Sequence, residues 1–138
     1  MLDLLNPDHS PDFAGDLTSL VEQTRQAGQP VEFAEEGKAA PDAGSAEAVA
    51  YRVVQEALTN ALKYAHGSPT SVHVRYGEKE ITVEIGTEGV RASAASGGSG
   101  RGLAGLRERV GVLGGEFSAG HRDGGFVVHA RIPAGNPS

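Results

Sequence analysis

Apolar residues recur along this 138-residue chain with two periods, and the switches between them lay out the elements. Phe13, Leu17, Leu20, Val21 and Thr24 return at helical spacing, and Gly28 suits the position just past a helix end. Pro7 to Pro11 breaks the chain ahead of that helix. Val31 to Ala34 reads as a short strand, and the Pro/Ala/Gly/Asp segment from Gly37 to Gly44 as a loop, after which Ser45 can cap a long helix. At ~100° per residue, Val49, Ala50, Val53, Val54, Ala57, Leu58, Ala61 and Ala65 form one broad apolar stripe on that helix. The period then falls to two. Val72, Val74 and Tyr76 alternate, Gly77-Glu78-Lys79 turns, and Ile81, Val83 and Ile85 alternate back, which predicts a hairpin. A helix over 101–113, a strand over 116–120, a turn at Arg122 to Gly125 and a strand over 126–132 complete the set. Strands interleaved with helices and joined mostly by hairpins predict an α/β fold: a two-layer sandwich, its mixed sheet carrying helices on one face.

Length, charge and composition narrow the class. One compact domain with a single core is within reach of a chain this long, and 38% hydrophobic content suffices for it. A formal net charge of -6 argues against a nucleic-acid binder, so an anionic ligand must be held by local donors rather than by the overall field. With no cysteine there is no disulfide framework and no thiolate metal site, in keeping with a reducing cytoplasm. No apolar run approaches the ~20 residues of a membrane span. The five histidines, His9, His66, His73, His121 and His129, lack metal-ligand spacing and are expected in surface or structural roles.

Polar residues on the long helix change the picture. Within the stretch Arg52 to His66, Glu56, Asn60, Lys63 and Tyr64 share one ridge at the border of the apolar stripe, Asn60 within ~20° of Val49. An amphipathic helix with its polar side in water would account for them, Glu56 pairing with Lys63 or Arg52. A metal-bound phosphate would account for them too. Gly98-Ser99-Gly100-Arg101-Gly102-Leu103 stands at the start of the second helix pattern, where glycines let the backbone approach an anion and a helix N-terminus offers free N–H groups. A flexible linker has a similar composition.

The two segments together resemble the ATP-binding domain of bacterial two-component sensor histidine kinases, of the GHKL ATPase superfamily, in the subfamily that pairs with nitrate-response-type regulators. The family's asparagine box, typically QEALTNAxKHA, is met by Gln55-Glu56-Ala57-Leu58-Thr59-Asn60-Ala61-Leu62-Lys63-Tyr64-Ala65. Its glycine box, typically GxGLxGMRERV before a Gly-Gly step, is met by Gly100 to Val110 with Gly114-Gly115. Gly124-Gly125-Phe126 and Ile132-Pro133 match the terminal strand pair. The resemblance covers nearly the whole chain and implies a Bergerat-type ATP-binding fold over 12–138. It further implies a lid over 86–101, with residues 1–11 as the tail of an upstream dimerisation helix and a linker.

What the resemblance implies for function follows residue by residue. Asn60 would coordinate Mg²⁺ through its amide oxygen. Glu56 would hold a metal-bound water or act as a base, and Lys63 would meet the terminal phosphates. Tyr64, where the subfamily usually has His, would border the nucleotide or pack. Gly98, Gly100, Arg101, Gly102 and Leu103 would cradle the phosphates of ATP. In the family an aspartate in a D-x-G-x-G pattern binds the adenine amino group; the matching segment is Ile85 to Gly89, where Ile85 replaces the aspartate and Gly89 fits. Transfer of the γ-phosphoryl group would go to a histidine on a dimerisation domain absent from this chain, and from there to a response regulator. The domain would be cytoplasmic and make no membrane contact itself, even if its parent is membrane-anchored. Two other readings stay open: a degenerate regulatory module that acts by protein contact, motivated by Ile85, and a stand-alone anti-sigma serine kinase of the same fold.

Overall fold

A computed structural model describes residues 13–38, 44–89 and 100–134. The described residues form, in order, α1 (Phe13–Gln26), β1 (Val31–Gly37), α2 (Gly44–Tyr64), β2 (Thr70–Tyr76), β3 (Glu80–Glu88), α3 (Gly100–Val112), β4 (Glu116–Arg122) and β5 (Gly125–Pro133). The strands make one mixed sheet in the order β1-β2-β3-β5-β4, with β1 and β2 parallel and the other pairs antiparallel. α2 packs against β3 and β5 and touches both α1 and α3, so it lies at the centre of the helical layer. The expected α/β sandwich with helices on one face is the observed architecture.

Period-two patterning decides which sheet face is covered. Val72 and Val74 of β2, Ile81, Val83 and Ile85 of β3, and Val128, Ala130 and Ile132 of β5 are buried together with Leu17, Val21, Ala50, Val53, Val54, Leu58, Leu106 and Val110 of the helices. The alternate residues His73, Arg75 and Glu84 stand exposed on the opposite face.

Three of the boundaries that differ from the sequence expectation have a structural reason. α2 begins at Gly44, which puts Ser45 inside the first turn rather than at the cap. β1 runs on through Glu35, Glu36 and Gly37 because its parallel register with β2 continues to Tyr76. Most consequential, β3 extends three residues past Ile85: Gly86, Thr87 and Glu88 pair with Ser71 and Thr70 on one side and with Val127, Phe126 and Gly125 on the other. These three residues, expected in a lid, are therefore strand. Residues 90–99 of that segment, and residues 1–11, lie outside the described residues.

The strand ends at Gly89, whose φ of 69° favours glycine and whose N–H donates to the Gly124 carbonyl at 3.0 Å. That bond ties the end of β3 to the β4–β5 turn.

Candidate functional site

The candidate site is built on α2, and the helix itself explains the placement. Val53, Val54, Ala57, Leu58 and Ala61 bury one face against the sheet, while Glu56, Asn60 and Tyr64 are half-buried at the border of that face and Lys63 is exposed. The ridge expected from the sequence is thus present. Among the described residues, Glu56 and Lys63 form no ion pair with each other or with another residue, so neither is committed to a helix salt bridge.

Asn60 is the exception in an otherwise well-satisfied interior. Its Nδ2 is buried and has no hydrogen-bond partner, the one such side-chain atom among the described residues. A buried amide without an acceptor costs roughly 1–3 kcal/mol, and a helix of this composition could have placed leucine or alanine there without that cost. The carboxamide oxygen is the other polar end of this half-buried side chain. The donor set fits a hard cation of the Mg²⁺ type: one amide oxygen, with a carboxylate one turn earlier at Glu56. No group of three or more His, Asp or Glu side chains among the described residues could cage a metal, and Mg²⁺ ordinarily relies on one or two protein oxygens plus phosphate oxygens and water.

α3 supplies the second wall. Gly100, Arg101 and Gly102 form the first turn of α3 itself rather than a loop ahead of it. The first N–H groups of a helix have no intrahelical acceptor, and the helix dipole is positive there. Leu103 is half-buried and packs on the core cluster, anchoring that turn. Gly98 lies outside the described residues.

Ile85 is not where the family pattern requires a ligand contact. It is 1% exposed, in the middle of β3, directly opposite Val72 and Val128, and it belongs to the core. A strand that runs three residues past the predicted end accounts for this, because the inward position nearest the strand end falls to Thr87, which is 8% exposed. Ile85 therefore faces packed side chains, and Thr87 is the inward polar group at that end of β3.

A cavity among the described residues lies elsewhere. About 800 Å³ in volume, it sits at the end of the sheet between the α1–β1 turn and the β4–β5 turn, lined by Arg25, Gln29, Thr70, Thr87, Arg122 and Phe126 among others. None of the candidate catalytic, metal-binding or nucleotide-binding residues named from the sequence lines it. The sequence reading also missed Gln29 beside it, 1% exposed and fully hydrogen-bonded, for which the only available signal was a polar residue between Gly28 and Pro30 at a strand entry. Two of the histidines have structural contacts: His66 Nε2 lies 2.9 Å from the Ala27 carbonyl, and His121 stands edge-on to Phe126.

Residues 45–136 match the family of histidine kinase-, DNA gyrase B- and HSP90-like ATPases. The chain belongs to this family. It is 37% identical over 90 residues to the oxygen sensor histidine kinase NreB of Staphylococcus carnosus, an alignment covering 63% of this chain and 26% of that one. The chain thus spans about a quarter of the length of that relative. Its fold is shared with histidine kinase AdeS of Acinetobacter baumannii, at a TM-score of 0.62 and 16% identity over 87% of this chain and 66% of that one. The catalytic domain of histidine kinase ThkA matches at a TM-score of 0.62 and 14% identity, covering 88% of this chain and 91% of that chain. Full-length ShkA, solved in complex with AMPPNP, matches at 0.63 and 16% over 94% of this chain and 32% of that one. The chain is a GHKL ATPase domain of the sensor histidine kinase type, and no described helix is long and apolar enough to cross a membrane.

Proposed function

We propose that this domain binds Mg-ATP at the α2 ridge and the first turn of α3, and serves phosphotransfer from ATP to a histidine on a separate dimerisation domain. A response regulator would then receive the group in the cytoplasm. The observation that carries the reading is Asn60: a carboxamide on the rim of the core with its Nδ2 buried and unpartnered is a stability cost that a ligand-facing oxygen explains. Glu56 is placed one turn away to hold a water on the cation or to accept a proton. Lys63, exposed on the same ridge, is free to meet terminal phosphate oxygens as a point charge. Gly100 to Leu103 offer N–H donors to the phosphates, and Tyr64 borders the nucleotide.

Bound Mg²⁺ would neutralise charge on the phosphate oxygens. In the transfer, the bond from the β,γ-bridging oxygen to the γ-phosphorus breaks as a bond from an imidazole nitrogen forms, and ADP leaves with the electron pair. The chain's own part is positioning and electrostatics. The alternative of a degenerate regulatory module was motivated by Ile85 in place of the base-binding aspartate; the family match and the histidine kinase relative favour the ATP-binding reading over it. The base end instead meets a hydroxyl at Thr87, which can donate or accept, so weak discrimination between ATP and GTP is expected.

Calorimetric titration with Mg-ATP, with and without EDTA, on the wild-type chain and on Asn60→Ala tests the reading. Saturable, EDTA-sensitive binding that Asn60→Ala abolishes while circular dichroism stays unchanged is the expected result. Equal affinity in the two proteins removes the metal-ligand assignment. Radiolabel transfer from ATP to a separately supplied dimerisation domain then tests the phosphotransfer step, and label retained on this chain's own histidines would contradict it.

A further inference from the structure

Gln29 lies in the turn between α1 and β1, 31 positions before Asn60 in the sequence, yet it is bonded to the end of the helix that carries the site. Its carboxamide Nε2 donates to the Ala65 carbonyl at 3.1 Å, the Ser68 carbonyl at 2.8 Å and Thr70 Oγ1 at 3.0 Å, and its Oε1 accepts from the Gly67 N–H at 3.0 Å. All four partners fall in the segment immediately after Tyr64. The Ala65 N–H still closes on the Ala61 carbonyl at 2.8 Å, so the turn that Gln29 grips is continuous with α2. Two outer contacts reinforce the join: His66 Nε2 with the Ala27 carbonyl at 2.9 Å, and the Thr70 N–H with the Pro30 carbonyl at 2.9 Å.

We propose that Gln29 is a positioning residue for the nucleotide site, fixing the C-terminal end of α2 and through it Asn60, Lys63 and Tyr64; this rests on the nucleotide reading above. The physical case is one of geometry. Filling this volume alone would call for leucine or methionine, since a buried carboxamide gains little over them in net stability. The two N–H groups of Nε2, shared among three acceptors, and the bond accepted by Oε1 instead fix both the rotation and the axial position of the last turn, which nondirectional apolar packing does not. Lys63 and Asn60 stand within two turns of the grip, and an electrostatic site loses about a hundredfold in rate for a displacement of about 1 Å.

The test separates positioning from bulk stability. Gln29→Leu removes the grip. Thr24→Val is the control: Thr24 is also buried in α1, and its hydroxyl donates only within the helix, to the Leu20 carbonyl at 2.8 Å. Both variants are compared with the wild-type chain at a temperature where circular dichroism shows each to be folded. In Gln29→Leu the amides of Ala65 and Gly67 are expected to exchange with solvent about tenfold faster, and Mg-ATP to bind about tenfold more weakly. Thr24→Val should leave both unchanged even if it lowers the melting temperature as much.

Gln29→Asn, which keeps the carboxamide but withdraws it by one methylene, should fall between the two and serves if Gln29→Leu does not fold. Unchanged exchange and affinity in the Gln29 variants overturn the proposal, as do equal effects from Thr24→Val. A wild-type chain that fails to bind Mg-ATP overturns instead the functional reading beneath it, and the exchange arm still decides whether Gln29 holds the end of α2.

Discussion

The two faces of the sheet are made by the same strands, residue by alternate residue, and they could hardly differ more in chemistry. On the covered face Ile81, Val83 and Ile85 of β3 are each at most 1% exposed, and their neighbours across β2 and β5 are aliphatic except Tyr76, opposite Ile81. On the open face Glu84, one residue away, stands between His73 and His129, and Arg131 bridges Glu80 and Glu116. The covered face has no room for chemistry along its length, only at its ends, where Thr87 and Thr70 face each other. Polar groups on this side are therefore carried by the helices, as the proposed site residues Glu56, Asn60 and Lys63 are. The sheet is their floor.

The sharpest way to break that contrast is to exchange chemistry between adjacent residues of β3. Ile85→Asp places a carboxylate among Val72, Val128 and the α2 stripe, and an unpaired buried charge is among the few single changes that cost on the order of 4–5 kcal/mol. Against a domain stability of roughly 5–15 kcal/mol this brings the protein to the edge of unfolding, with no gain in adenine affinity. Glu84→Ile, on the exposed face, should move stability by no more than about 0.5 kcal/mol. Urea midpoints of the two variants settle the matter, and a folded, tighter-binding Ile85→Asp protein would show that β3 presents that residue to the ligand.

A smaller effect, of opposite sign, is expected at the border between the two chemistries. Asn60→Leu removes the unpartnered Nδ2 and fills the same space, so the melting point should rise, by the equivalent of about 1 kcal/mol, while Mg-ATP binding is lost. Thermal denaturation with and without Mg-ATP checks both halves in one experiment. A variant less stable than the wild type would mean that the amide is satisfied in solution and that its burial is no mark of function.

The fold and the α2 ridge were legible in the sequence because each rests on a repeating local signal: period two for the strands, 3.6 for the helices, and one face shared by Glu56, Asn60 and Lys63. The end of β3 was not. Gly86, Thr87 and Glu88 carry no apolar alternation and read as a loop; pairing to neighbouring strands keeps them extended, which is a tertiary effect. The predicted strand therefore stopped at Ile85 and hid Thr87 as the inward polar residue nearest the strand's end. Gln29 was invisible for a related reason: its four bonds reach residues 36–41 positions away, and no local pattern encodes them.

The mildest probe of the comparison lies on the open face, where charges are held by partners in water rather than by burial. Arg131 Nη2 lies 3.1 Å from Glu116 Oε2, and the hydrogen bond and charge of that guanidinium hold the Glu116 carboxyl below the usual carboxylate range. A carboxyl whose folded-state value is depressed contributes stability above its unfolded value, near pH 4.3, and loses it as the pH falls through the folded value. Neutral pH therefore retains the contribution and strong acid removes it. Arg131→Met should lower the melting point slightly at pH 7, and the gap to the wild type should close as the pH drops below about 4. Because Glu116 is exposed, about 0.5 M salt should narrow the gap as well. A difference that persists unchanged at pH 2 would assign the effect to packing of the Arg131 stem across β3, β5 and β4 rather than to its charge, and the open face would then resemble the covered one more than its composition implies.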